Sequence, residues 1–273
     1  MICTNFIFDN ESLSDYGMIV CTFGDNNETS WSGGDITFNT QKAPSNDVQT
    51  FYTSSAETPL SCTFDICKNP CLMNKDGIEY ITQDEYSALS RFLKRRDGFH
   101  WMQFDNEGYE DIYFNAKFDM QPKEVCGRTV GFTLTMTTDS PYGYSRLVTK
   151  SFELSATSPA KSFINYDDVV GISYPILKIK PKSDGNLILT TGCSDEERTT
   201  VINNVKTNSE ILLDGNNDYY EGISNPNDFN YEFPIISNTY KNRKTNVGIQ
   251  TTGNVSVGCS VYFEYRYKRM VTV

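Results

Sequence analysis

The chain has 273 residues, with 24 basic and 35 acidic side chains and a net charge of −11. That balance argues against a nucleic-acid binder working by phosphate neutralisation, and no stretch approaches the roughly 18 apolar residues of a membrane span. The length permits burial of about three quarters of the unfolded surface and lies near the size at which one core divides into two.

The first six residues lack the basic region and long apolar run of a secretion signal, so a soluble protein folded in a reducing cytoplasm is expected. In chain order, Phe6, Ile7 and Phe8 lead through Asp9 and Asn10 toward Met18, Ile19 and Val20, which predicts two short strands joined by a polar turn. Residues 26–34 are polar and glycine-bearing, with Trp31 alone among them, and read as a loop. Residues 36–51 flank the turn-like Ala43, Pro44, Ser45, Asn46 and Asp47 with strand-like sequence poor in core residues. This predicts a hairpin that projects and finds its partner on another chain. Leu60, Cys62, Phe64 and Ile66 alternate with polar residues as a half-buried strand does.

Thr82 and Glu85 stand in the capping-box spacing, so a helix starts there. Tyr86, Leu89, Phe92 and Leu93 form one apolar stripe, and Arg91, Lys94, Arg95 and Arg96 complement the dipole at the far end. Gly98 is the expected stop. Residues 99–104 and 112–118 are aromatic strands about a turn at 106–108. Val130, Phe132, Leu134 and Met136 alternate with threonine on the outer face, which a sheet tolerates well.

Ser140, Pro141, Tyr142 and Gly143 break that strand, and residues 151–160 are small, polar and composed like a linker. Beyond residue 160 the helical period disappears. Short strands are predicted at 175–180, 186–190, 199–205, 210–213, 231–236 and 247–251, with a long last strand from Val255 to Tyr267, spacing that reads as a β-sandwich. Residues 1–150 carry 12 basic and 21 acidic side chains (net −9), and residues 151–273 carry 12 and 14 (net −2). The shift supports two domains, 1–155 and 156–273.

A search for chemistry returns no catalytic, cofactor-binding or metal-ligating set. Cys3, Cys21, Cys62, Cys67, Cys71, Cys126, Cys193 and Cys259 contain no CxxC pair, and His100 is the sole histidine, so buried free thiols are expected rather than zinc. His100, between Phe99 and Trp101, reads as a packed or hydrogen-bonded ring. Ser32, Gly33, Gly34 and Asp35 are too short for a phosphate loop, and residues 214–218 read as a turn rather than a calcium loop. Asp105, Glu107, Glu110 and Asp111 beside Trp101 and Tyr109 have the composition of a sugar cleft and equally of a solvated turn. Residues 195–197 read as a solvated loop.

Residues 6–20 resemble the start of the distal tail proteins of siphophages that infect Gram-positive bacteria. The resemblance continues through Leu89 to Phe104, with Phe99, His100, Trp101, Met102, Gln103 and Phe104 after the helix, and through residues 129–138 and 140–143. It extends to Glu210, Ile211, Leu212, Leu213, Asp214 and Gly215, and to residues 246–253. It implies a mainly β fold: an amino-terminal barrel with one helix and a protruding hairpin, and a carboxyl-terminal galectin-like sandwich. It further implies a homo-hexameric ring, with the sandwich outside it, joining the tail tube protein to the tail tip, tail-associated lysin or baseplate. The part would be non-enzymatic, without cofactor, located in the distal tail of the virion and assembled in the bacterial cytoplasm. Residues 151–273 contain neither His nor Trp, so the usual galectin sugar platform is missing. A carbohydrate-binding module of a tail tip is the alternative.

Overall fold

The computed structural model describes residues 4–23, 30–34, 58–72, 80–106 and 108–271, and the backbone alone of 37–42 and 49–55. The chain forms two compact units, one running to Tyr144 and including the chain end from Met270, the other spanning Ser145–Arg269.

In the first unit, strands β1 (Phe6–Phe8), β2 (Glu11–Ser12), β3 (Met18–Cys21) and β4 (Ser30–Ser32) precede a hairpin of β5 (Thr37–Lys42) and β6 (Gln49–Ser55). β7 (Ser61–Lys68), helix α1 (Gln83–Leu93), β8 (His100–Phe104), β9 (Phe114–Val125) and β10 (Arg128–Thr138) follow. The main sheet is antiparallel and barrel-like, in the order β2-β1-β8-β9-β10-β7-β3, with β4 also on β7. β7 and β10 pair Cys62 with Met136, Phe64 with Leu134 and Ile66 with Phe132, so one face of the ladder is apolar throughout. Asp9 and Asn10 adopt φ of 49° and 66°, the left-handed pair that a tight two-residue hairpin between β1 and β2 requires.

The α1 start is as expected: Glu85 N donates to Thr82 Oγ1 at 3.3 Å, and Thr82 N donates to Glu85 Oε2 at 2.8 Å. The helix buries Leu89, Phe92 and Leu93. Phe92 stacks on Tyr16 at 4.5 Å and meets the Phe8 ring edge-on at 5.8 Å, so the apolar stripe is inserted between strand β1 and the 3-10 turn Leu13–Tyr16 that follows β2. Burying a side chain of this size stabilises the unit by about 2–3 kcal/mol.

Three expectations for this unit change. The helix ends at Leu93, with the Lys94 amide bonded to Ser90 O, well before Gly98. Residues 70–72 are helical as well. Trp31 lies in strand β4, paired with Cys62, and its ring meets Phe104 at 5.9 Å and Phe114 at 5.7 Å. Apolar partners far along the chain turn a polar-looking segment into a strand.

After β11 (Gly143–Tyr144), bridged to Tyr113, the second unit is a β-sandwich. Its strands are β12 (Val148–Leu154), β13 (Ala160–Ile164), β14 (Gly171–Ser173), β15 (Ile176–Pro181), β16 (Gly185–Cys193), β17 (Glu196–Val205), β18 (Ile211–Asp214), β19 (Tyr219–Glu221), β20 (Ile236–Asn238), β21 (Lys244–Ile249) and β22 (Cys259–Tyr265). One sheet runs β12-β22-β15-β18-β19 and the other β13-β21-β16-β17, with β14 and β20 paired separately. Leu154, Leu177, Leu213, Val261 and Phe263 from the first sheet meet Leu187, Leu189, Ile202, Val247 and Ile249 from the second in one core.

The linker expected at residues 151–160 is instead the end of β12, a turn closed by Ser155 and Ser158, and the start of β13. The division falls at Tyr144 rather than near residue 155. β12 and β13 are edge strands with one exposed flank, and polar residues suit such positions. Residues 231–235 do not form the expected strand: Tyr231 has φ 57°, and Glu232 O is taken by Thr200 Oγ1 at 2.7 Å. The last strand starts at Cys259, because Ser256 Oγ receives the Ile188 amide at 3.0 Å in place of a ladder bond. Glu196 and Glu197 belong to β17, joined to β16 by a two-residue turn.

Candidate functional site

His100 opens β8 with both ring nitrogens engaged. Nε2 lies 2.9 Å from Asp97 Oδ1, and Nδ1 lies 3.5 Å from Asp9 Oδ1. The Phe8 ring meets the imidazole edge-on at 5.8 Å. This geometry fastens the α1–β8 turn to the β1–β2 turn. Arg95 reinforces it, its guanidinium 3.1 Å from Asp9 and 3.4 Å from Glu11 while Nε donates to Phe92 O.

Among the described residues, the acidic run between β8 and β9 and the two aromatic residues beside it are not gathered on one side. Tyr109 turns toward the core against Phe104 at 6.3 Å, whereas Trp101 is exposed and meets Tyr144 edge-on at 5.4 Å. Asp105 and Asp111 are exposed, and Glu110 Oε2 accepts the Gly108 amide at 3.1 Å. Glu107 lies outside the described residues. In the turn after β18, Asp214 accepts the Asn216 amide at 3.0 Å and the Asn217 side chain at 2.7 Å, a self-contained arrangement.

Among the described residues no group of three or more His, Cys, Asp or Glu side chains could hold a metal ion. Nor is any helix there long and apolar enough to cross a membrane. Cys62, Cys193 and Cys259 are buried, as an apolar role requires, but Cys71 and Cys126 are exposed and correct the expectation of uniformly buried thiols. Cys126 sits with φ 51° in the β9–β10 turn, which solvent surrounds. Cys21 and Cys67 are hydrogen-bonded neighbours on paired strands, a contact that lowers the Cys67 thiol and raises that of Cys21.

Two surfaces were not singled out by sequence. The outer face of the five-stranded sheet carries a groove of about 420 Å³. Across it the register aligns Ser151, Tyr262, Lys178, Leu212 and Glu221 in one row. The polar phase of each strand was the available signal, but only the strand order brings the five positions together. The ammonium of Lys178 stands 5.6 Å from the Tyr262 ring centroid, so it occupies the ring face a sugar would stack on. The second surface is a basic groove between the end of α1 and β9, of about 630 Å³.

β5 and β6 pair with each other from Thr37↔Ser55 to Lys42↔Gln49 and, among the described residues, with no other strand. The expected hairpin is therefore present, and its turn at residues 43–48 lies outside the described residues. Together these features define a mainly β scaffold of two units.

Comparison with known proteins agrees. A family described as phage tail protein N-terminal domain matches residues 1–140, and one described as phage tail C-terminal domain matches residues 142–265. The chain belongs to this family of phage tail proteins. Its fold is similar to the crystal structure of the SPP1 Dit (gp 19.1) protein, described as a paradigm of hub adsorption apparatus in Gram-positive infecting phages. The TM-score is 0.63 at 13% identity, covering 98% of this chain and 100% of that one. The two-part architecture, a barrel-like unit with helix and hairpin followed by a β-sandwich, is thus similar in fold to that protein. No curated protein matches the chain in sequence.

Proposed function

We propose that this phage tail protein is the hub at the distal end of the tail. Six copies form a ring through their first units, and the ring joins the tail tube protein to the tail tip, tail-associated lysin or baseplate proteins. The observation that carries the reading is the likeness to a hub protein over essentially the whole of both chains. The β5–β6 hairpin supports it, because a two-stranded sheet that, among the described residues, pairs with no third strand is marginal in water and gains stability against a partner. In a ring one heterologous contact is repeated around a closed axis, and a specific contact of this kind buries on the order of 1,600 Å². The protein acts by assembly in the host cytoplasm and functions in the virion, without catalysis.

The sugar-binding alternative is less favoured, because Lys178 covers the Tyr262 face in the sandwich groove. Light scattering and negative-stain imaging of the purified protein test the proposal. Closed six-membered rings are expected, and a chain that remains monomeric at tens of micromolar overturns it.

A further inference from the structure

Resting on that reading, we propose that the basic groove beside the end of α1 receives the acidic β8–β9 loop of a second copy, and that this contact, repeated, closes the ring. Arg91, Lys94 and Arg96 border the groove from the helix end, and Lys117 borders it from β9. All four are exposed, and among the described residues none of them forms an ion pair, in contrast to Arg95, which is held by Asp9 and Glu11. The Ser90 hydroxyl at the same groove has no hydrogen-bond partner there either. Asp119 is the one carboxylate on the rim. The first 150 residues carry a net charge of −9, so copies of this unit repel one another except where an unneutralised cationic surface meets an anionic one.

The topology places the two surfaces suitably. The basic turn immediately precedes β8, and the loop bearing Asp105, Glu110 and Asp111 follows it. The register His100↔Ala116 sets Lys117 at the groove end of the same strand pair. At about 3.3 Å per residue, β8 separates the two surfaces by roughly 13 Å and places them at its opposite ends. A patch and a separate complement on one subunit make a head-to-tail contact, the kind that generates a ring when the rotation closes.

The test is charge reversal in the full chain, read by light scattering and negative-stain imaging. Arg91→Glu with Lys94→Glu should weaken the neighbour contact roughly tenfold or more, and Asp105→Lys with Asp111→Lys should do the same. Combining all four substitutions should restore rings. Circular dichroism checks that each variant is folded; should a reversed chain unfold, Arg91→Gln with Lys94→Gln and Asp105→Asn with Asp111→Asn replace it, each expected to dissociate at lower salt than wild type. Wild-type rings that persist unchanged in either variant, or a fourfold variant that stays dispersed, overturn this contact and leave the hub reading standing. A wild-type chain that forms no ring overturns the hub reading itself, and this contact with it.

Discussion

Glu85 and Lys68 meet at 2.8 Å, one in the first turn of α1 and the other at the end of β7, so the group that caps the helix also ties it to the sheet. Burial pushes the Glu85 carboxyl up, but hydrogen bonds from Lys68 and Thr82 outweigh it and hold the group below its ordinary value of 4.5. A depressed carboxyl contributes stability above its unfolded value and loses it as pH falls through the folded one. Glu85→Ala should therefore cost about 1–2 kcal/mol at pH 7, with the difference from wild type shrinking below pH 4.5. Urea unfolding at a series of pH values measures this, and a difference that grows on acidification contradicts it.

Asp167 is a buried junction in the second unit. Its carboxylate accepts the Lys268 amide at 2.7 Å, the Asn165 side chain at 3.1 Å and the Ser173 hydroxyl at 3.2 Å. Asp167→Ala leaves these donors unanswered at a buried position, and a loss of about 2–4 kcal/mol is expected. Thermal and urea unfolding of the full chain at neutral pH provide the check.

The thiols should separate by reactivity. Cys71 and Cys126 are expected to alkylate first, and Cys62, Cys193 and Cys259 last. Burial raises the Cys259 thiol to about 12, which removes its thiolate at neutral pH as well as its access. Between the hydrogen-bonded neighbours, Cys67 should be modified ahead of Cys21. Pulsed iodoacetamide labelling with mass spectrometry reads the order, and early labelling of the buried three would contradict the packing described.

Removing residues 41–47 should abolish rings while leaving the monomer with an unchanged far-ultraviolet spectrum. Among the described residues β5 and β6 contribute no strand to the main sheet, so the first unit is expected to fold without residues 41–47. Rings that persist after the deletion would show that the hairpin is dispensable for assembly.

Local signals in the sequence translated faithfully where a few neighbouring residues settle the structure. The Thr82 and Glu85 cap and the alternation along β7 and β10 are of this kind. Trp31 departs from the expected loop because its surroundings are polar in sequence and aromatic only in space. β12 looked like a linker because an edge strand needs just one flank to be apolar or paired, and Leu154 finds its partner Cys259 more than a hundred residues away. Residues 231–235 carry strand-forming side chains, yet side-chain bonds such as that from Thr200 take the place of the ladder. The two surface grooves were illegible for a related reason: Arg91 and Lys117, or Tyr262 and Lys178, become neighbours only once the strand order is known.

The same edge strands have a consequence for crowding. Lys150 lies on β12 and Lys161 on β13, each exposed on the outermost strand of its sheet. An ammonium there penalises any foreign strand that tries to zip onto the open margin. Copies of the sandwich at high local density are therefore kept from fusing edge to edge into fibrils.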